Sequence, residues 1–113
     1  MTALEDQTHR VFDALGDPTR RAILELLRSK PCAAGEIAAQ FTMSRPAVAK
    51  HVRLLKEAGL VEEQADGRRR IYSLRAAPLV EVDVWLHPFR AFWAAKLVDL
   101  KGLIEAQERE RDH

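Results

Sequence analysis

The chain has 113 residues, 31% of them charged and 47% from the AVILMFWYC set. That length predicts one domain spanning 1–113, and that composition excludes a disordered chain. Net charge is only +1, and a lone cysteine, Cys32, excludes an internal disulfide framework and a multi-thiolate metal cage within one chain.

The opening MTALEDQTHR carries acids and no apolar h-region, so no secretory signal is expected. No apolar run approaches the ~20 residues of a membrane span, and a reducing cytoplasm is the expected compartment. A core of this size is marginal unless a second chain adds buried area.

The first predicted helix runs from Leu4 to Leu15, with Leu4, Thr8, Val11, Phe12 and Leu15 at helical spacing and Gly16 as its C′ residue. Asp17-Pro18-Thr19 opens a second helix, because Asp17 suits an N-cap and Pro18 the first helical position. Ala22, Ile23, Leu26 and Leu27 give it an apolar stripe, and Ser29-Lys30-Pro31 ends it. A third, short helix is expected over Ala34 to Phe41, with Ile37, Ala38 and Phe41 inward. Thr42-Met43-Ser44 has the length of a turn, and Ser44 caps a fourth helix from Arg45 to Ala58, closed by Gly59. On that helix Val48, Val52 and Leu55 share one face, with His51 at its margin. Arg45, Pro46, Ala49, Lys50 and Arg53 fall on the other side. A short helix, a tight turn and an amphipathic helix in series are the layout of a helix-turn-helix, here over 34–58.

Past Gly59 the period changes to two. Leu60 to Gln64 leads to Asp66-Gly67, a strong hairpin signal, and Arg70 to Leu74 returns. This predicts a wing over 60–75 with Arg68-Arg69-Arg70 at its tip. Residues 79–84 read equally as a helical turn or an extended link. Pro88 is expected in the first turn of a last helix reaching about Glu108, with Trp85 and Leu86 leading in. Phe89, Phe92, Trp93, Leu97, Leu100, Leu103 and Ile104 form a broad apolar stripe on it, and the polar tail from Gln107 to His113 is expected to fray.

Charge is segregated along this order. Between Ser44 and Arg75 eight bases face four acids, a local charge of +4, and the remainder carries −3. A basic middle of this kind suits a polyanion. A helix presenting Arg45, Lys50 and Arg53 fits the major groove of B-DNA, about 12 Å wide. Arg45, at its N-terminal end, has the fork that matches guanine O6 and N7. Pro46 and Ala49 suit a thymine methyl, and Lys50 and Arg53 suit phosphates. Thr42 and Ser44 offer hydroxyls to the backbone. His51 is expected to cap packing or reach a phosphate, and Arg68 and Arg69 to lie along the adjacent minor groove. No Ser/His/Asp set, Gly-rich phosphate loop or convergent carboxylate pair is legible, so no enzyme is expected.

Four stretches carry a family resemblance: ALGDPTRRAIL over 14–24, SRPAVAKH over 44–51, LLKEAGLV over 54–61 and GRRRIYSL over 67–74. Together they resemble the ArsR family of bacterial winged helix-turn-helix repressors, over roughly Thr8 to Ile104. The resemblance implies a mainly α fold with a small β-hairpin, and a cytoplasmic homodimer on double-stranded DNA. It implies dimerisation through the first and last helices, over 4–15 and 85–108. The residues placed at that interface are Leu4, Val11, Trp85, Phe89, Phe92, Trp93, Leu97 and Leu100. The breadth of the last helix's apolar stripe agrees with a partner helix as its cover.

Metal-sensing relatives carry a Cys-x-Cys motif ahead of the reading helix. The corresponding stretch here, Ala33 to Ala38, offers only Glu36. A second family site on the last helix finds only Asp83 and His87 here, and a zinc-like site needs about four ligands. His9 reads as a surface or interface residue. Cys32, near Lys30, is the redox candidate. The Trp/Phe-rich last helix resembles a metal-independent subgroup, so neither cofactor nor metal is expected. A metal- or redox-responsive sensor, an unidentified small-molecule inducer and a winged-helix protein-interaction module stand as alternatives.

Overall fold

The computed structural model describes residues 3–111, and its side chains from Glu5 onward. Helix α1 spans Ala3–Leu15 and α2 Pro18–Ser29. A two-residue strand β1, Cys32–Ala33, leads into the short α3, Ala34–Ala38, and then α4, Arg45–Glu57. Strands β2, Val61–Asp66, and β3, Arg69–Leu74, form the hairpin. A 3-10 turn over Ala77–Leu79 precedes α5, Val80–Arg111. The chain divides into two compact units, one ending at Glu81 and one beginning at Val82.

In the first unit the four helices α1 to α4 and strands β1 and β2 supply one apolar core, which β3 flanks with half-buried residues. Val11, Ile23, Ile37, Leu55 and Leu60 are essentially inaccessible, and Leu24, Leu27, Val48, Val52 and Val61 join them. On α2 the buried stripe is Ile23, Leu24 and Leu27; Ala22, expected inward, is exposed. Val11 is 1% exposed, so it belongs to its own chain's core and has no surface left for a partner chain, contrary to the sequence expectation. Leu4 lies outside the described side chains.

The helix ends follow local chemistry. The Asp17 carboxylate accepts the Arg20 backbone N–H at 3.0 Å, and the Ser44 hydroxyl accepts that of Ala47 at 3.3 Å, as N-caps should. At the C-terminus of α4, Leu60 N–H donates to the Leu55 carbonyl and Gly59 N–H to that of Lys56, both at 3.0 Å. This double closure requires a left-handed residue, and Gly59 has φ +79°. Gly16 does not play that role for α1, because no positive φ occurs there. Arginines from α2 cap α1 instead. Arg20 donates to the carbonyls of Ala14 and Asp13 at 2.8 and 2.9 Å, and Arg21 to that of Leu15 at 2.7 Å. They satisfy carbonyls that the helix itself leaves without donors.

The sheet has the order β1-β3-β2 and is antiparallel throughout. Cys32 pairs with Tyr72, so a third strand that the sequence did not announce completes the wing. Asp66 pairs with Arg69, which leaves Gly67-Arg68 as the two-residue turn. Gly67 alone has positive φ, +64°, the pattern of a II′ turn with glycine at its first central position. The expected tip of three arginines therefore reduces to Arg68, with Arg69 and Arg70 inside β3.

The last helix is longer than expected. Residues 80–84 are helical, and Pro88 sits inside α5 rather than in its first turn. Proline withholds one backbone donor, and the bonds on either side carry the helix across it. The helix continues to Arg111, beyond the expected fraying point. In the second unit the apolar side chains stay open. Phe92, Leu97, Val98 and Leu103 are each more than 60% exposed. Trp85, Phe89 and Trp93 form a row at i, i+4 spacing, with ring centroids 4.9 and 6.4 Å apart. No helix among the described residues is long and apolar enough to cross a membrane.

Candidate nucleic-acid interface

Helices α3 and α4 are joined by the break at Phe41–Ser44, and α4 turns Val48, Val52 and Leu55 inward. Its period leaves Arg45, Pro46, Ala49, Lys50 and Arg53 exposed, and Thr42 and Ser44 are exposed just before it. Helix α3 is shorter than expected. Beyond Ala38 the bonds tighten to Gln40 N–H on Ile37 O and Phe41 N–H on Ala38 O, at 3.1 and 3.2 Å, and the helix stops.

Beside α4 runs a groove of about 630 Å³, lined by α3, α4 and the hairpin. Arg45, Pro46, Ala49, Lys50 and Arg53 line it from α4, together with Lys56, Glu63 and Tyr72, which were not expected at the site, and Arg70 of the expected arginine tip. The structure thus gathers five of the predicted residues along one wall. Arg68 and Arg69 lie on the hairpin and do not line the groove.

The cations divide by engagement. Among the described residues Arg45, Lys50 and Arg68 make no ion pair, and all three are exposed. Arg53 reaches Glu57 at 3.9 Å, one turn along α4. Arg69 donates to Glu36 at 3.1 Å, tying β3 to α3. Glu63 accepts from Lys56 at 2.5 Å and from Arg70 at 2.9 Å, tying α4 to β3. Neither ion pair was legible in the sequence, where Glu36 stood only as a lone possible ligand, because the partners are 33 and 7 residues away.

The acids ionise readily. Glu36 is held below the usual carboxylate range first by the Ala33 N–H, then by Lys30 and Arg69. Glu63 is held below it by its hydrogen bond from Lys56, with Arg70 adding to the effect. Asp17 is lowered by the Arg20 N–H and then by His51 and Arg20.

His51 is not free on the reading face. Its Nδ1 lies 3.3 Å from Arg20 Nη1 and 3.8 Å from the Asp17 carboxylate, and its side chain is only 20% exposed. The histidine fastens α4 to the start of α2, the packing side of the two roles expected for it, and not the phosphate contact. The sensor candidates are separately placed. Cys32 is buried at 2% exposure, its thiol 3.5 Å from the Lys30 carbonyl, which removes the accessibility that a redox role requires. Asp83 accepts a hydrogen bond from Arg90, and His87 is exposed on α5. Among the described residues no group of three or more His, Cys, Asp or Glu is gathered within the chain.

Comparison with known proteins agrees with this geometry. Residues 15–64 match the family described as a helix-turn-helix domain. The chain is 40% identical over 98 residues to the HTH-type transcriptional regulator Rv2034 of Mycobacterium tuberculosis, covering 87% of this chain and 89% of that protein. It is 37% identical to the transcriptional repressor SdpR of Bacillus subtilis, covering 72% and 90%. Among solved structures it is similar to an ArsR-like transcriptional regulator from Rhodococcus sp. RHA1, at 32% identity, TM-score 0.68 and coverage of 90% and 96%. It is also similar to a homodimeric winged helix-turn-helix DNA-binding domain from Mycobacterium bovis, at 34% identity, TM-score 0.62 and coverage of 75% and 84%. With the α4 reading face, the three-stranded wing and these relatives together, the chain belongs to the ArsR family of winged helix-turn-helix transcriptional regulators.

Proposed function

We propose that this regulator is a sequence-specific repressor, acting in the cytoplasm as a homodimer on a pseudo-palindromic operator and catalysing no reaction. The observation that carries the reading is the set of exposed, unpaired cations: Arg45 and Lys50 on α4, and Arg68 at the hairpin turn. Arg45 reads a guanine edge from the start of α4, where a recognition helix meets the bases. Thr42, Ser44, Pro46, Ala49, Lys50 and Arg53 line the contact around it. Arg68 reaches the neighbouring minor groove, and Arg69 is drawn there only by leaving Glu36.

The homodimer is supported by the open apolar surface of α5, including Trp85, Phe89, Phe92, Trp93, Leu97 and Leu100, and by the homodimeric relative. Two copies carry two reading helices, so half-sites lie about one helical turn, or a small multiple of it, apart. Repression is supported by the likeness to SdpR. The test is duplex binding across a salt series, for the wild type and Arg45→Ala. Log affinity against log salt should fall by about 0.9 per phosphate contacted. Arg45→Ala should lose about 1–3 kcal/mol at one base pair per half-site. A flat slope would sink the DNA reading, and an equal loss on every sequence would remove Arg45 as a base reader.

A further inference from the structure

We propose that Glu63 is a positioning residue that braces the reading helix against the wing and withholds Lys56 and Arg70 from the DNA backbone; this rests on the DNA-binding reading above.

The two oxygens of one carboxylate are shared between two elements. Oε2 accepts from Lys56 Nζ of α4 at 2.5 Å, and Oε1 accepts from Arg70 Nη1 of β3 at 2.9 Å. The Glu63 side chain is 16% exposed, against 50% and 72% for its cations. All three residues line the groove beside the reading face. An exposed ion pair contributes little because water competes for both charges. Glu63 is shielded and doubly engaged, so its geometry is held more firmly. Its neighbour Glu62 points the other way along the pleat, is 61% exposed and among the described residues pairs only with Arg75, at 3.5 Å.

The consequence concerns discrimination. Every cation that meets a phosphate adds affinity for all sequences alike. Specificity is the ratio of operator to non-specific binding, so surplus phosphate contacts lower it when they come free of register. By holding Lys56 and Arg70, Glu63 leaves the backbone contacts to the unpaired cations and fixes the separation of α4 from the hairpin. Its lowered pKa keeps this brace charged through the neutral range.

The experiment compares wild type, Glu63→Gln and Glu62→Gln on two duplexes: one selected by the wild type from a random pool, and a random-sequence duplex of the same length. Both variants remove one negative charge. Glu63→Gln should steepen the salt slope on the random duplex by about 0.9 to 1.8, one to two phosphates, and lower the preference for the selected duplex. Glu62→Gln should leave both at wild-type values. An unchanged or flatter slope for Glu63→Gln overturns the proposal, and so does an equal shift in both variants, which would reflect net charge alone. If Glu63→Gln does not fold, Glu63→Asp decides. It keeps the charge and shortens the reach, so a steeper slope supports the brace and an unchanged one overturns it. A wild type without salt-dependent binding would instead sink the DNA reading itself.

Discussion

The unit ending at Glu81 and the unit beginning at Val82 are both rich in apolar residues, yet they treat them oppositely. Among the described residues all fourteen buried apolar ones lie in the first unit, and ten of the twelve exposed large ones lie in the second. The first unit has helices and a sheet facing one another, so each apolar stripe meets another element. The second is a single helix, which has no second element of its own to meet. Burial therefore follows the supply of a facing surface more than apolar content, and the open apolar area of this helix is what the proposed homodimer would cover.

The sharpest way to break this comparison is to truncate one apolar side chain in each unit. Leu55→Ala deletes a side chain with 0% exposure. It should cost about 2–5 kcal/mol of folding stability, through lost transfer energy and the cavity left behind. Urea denaturation measures it, and a loss well below that range would mean that the first unit is not the rigid core described. Trp93→Ala removes a larger side chain that is 43% exposed. It should weaken self-association by about 2 kcal/mol or more, as aromatic interface anchors do. Sedimentation equilibrium reads that shift, and an unchanged assembly would show that α5 dimerises through another face or not at all.

The smallest effect is the acid response, which falls on the first unit. Asp17, Glu36 and Glu63 have lowered pKa values there. In the unfolded chain these groups take up protons near pH 4, above their folded values. Their contribution is therefore complete above that range and is lost as pH falls through the folded values, where the unfolded state binds more protons. The thermal midpoint should drop on going from pH 6 to pH 3, and Glu36→Gln should make the drop shallower. An identical drop in the variant would remove Glu36 as a contributor.

Much of the first unit was legible because its determinants are local. The Asp17 and Ser44 caps, the left-handed Gly59 and the inward face of Val48, Val52 and Leu55 depend on residues within two turns of one another. The exposed face of α4 followed from the same period. The turn was nearly legible: Asp66-Gly67 announced it, but strand register moved its centre one residue on, to Gly67-Arg68.

Long-range pairing escaped. Strand β1 consists of two residues with no periodicity to read, and it exists because β3 passes beside it. Val11 looked like an interface residue because helical spacing gives a face without saying what faces it. His51 looked available to phosphate until Arg20 and Asp17 were found beside it. The division of the arginines into paired and unpaired was likewise invisible, because Glu36 reaches Arg69 only once α3 and β3 are folded together. The sequence alone determined that α1 to α4 are helices, the Asp17, Ser44 and Gly59 ends and which side of α4 carries charge, since these are set by backbone chemistry and side-chain period over a few residues. Only the tertiary structure decided which charges are already neutralised and which apolar residues lack a cover, because both depend on distances between segments far apart in the chain.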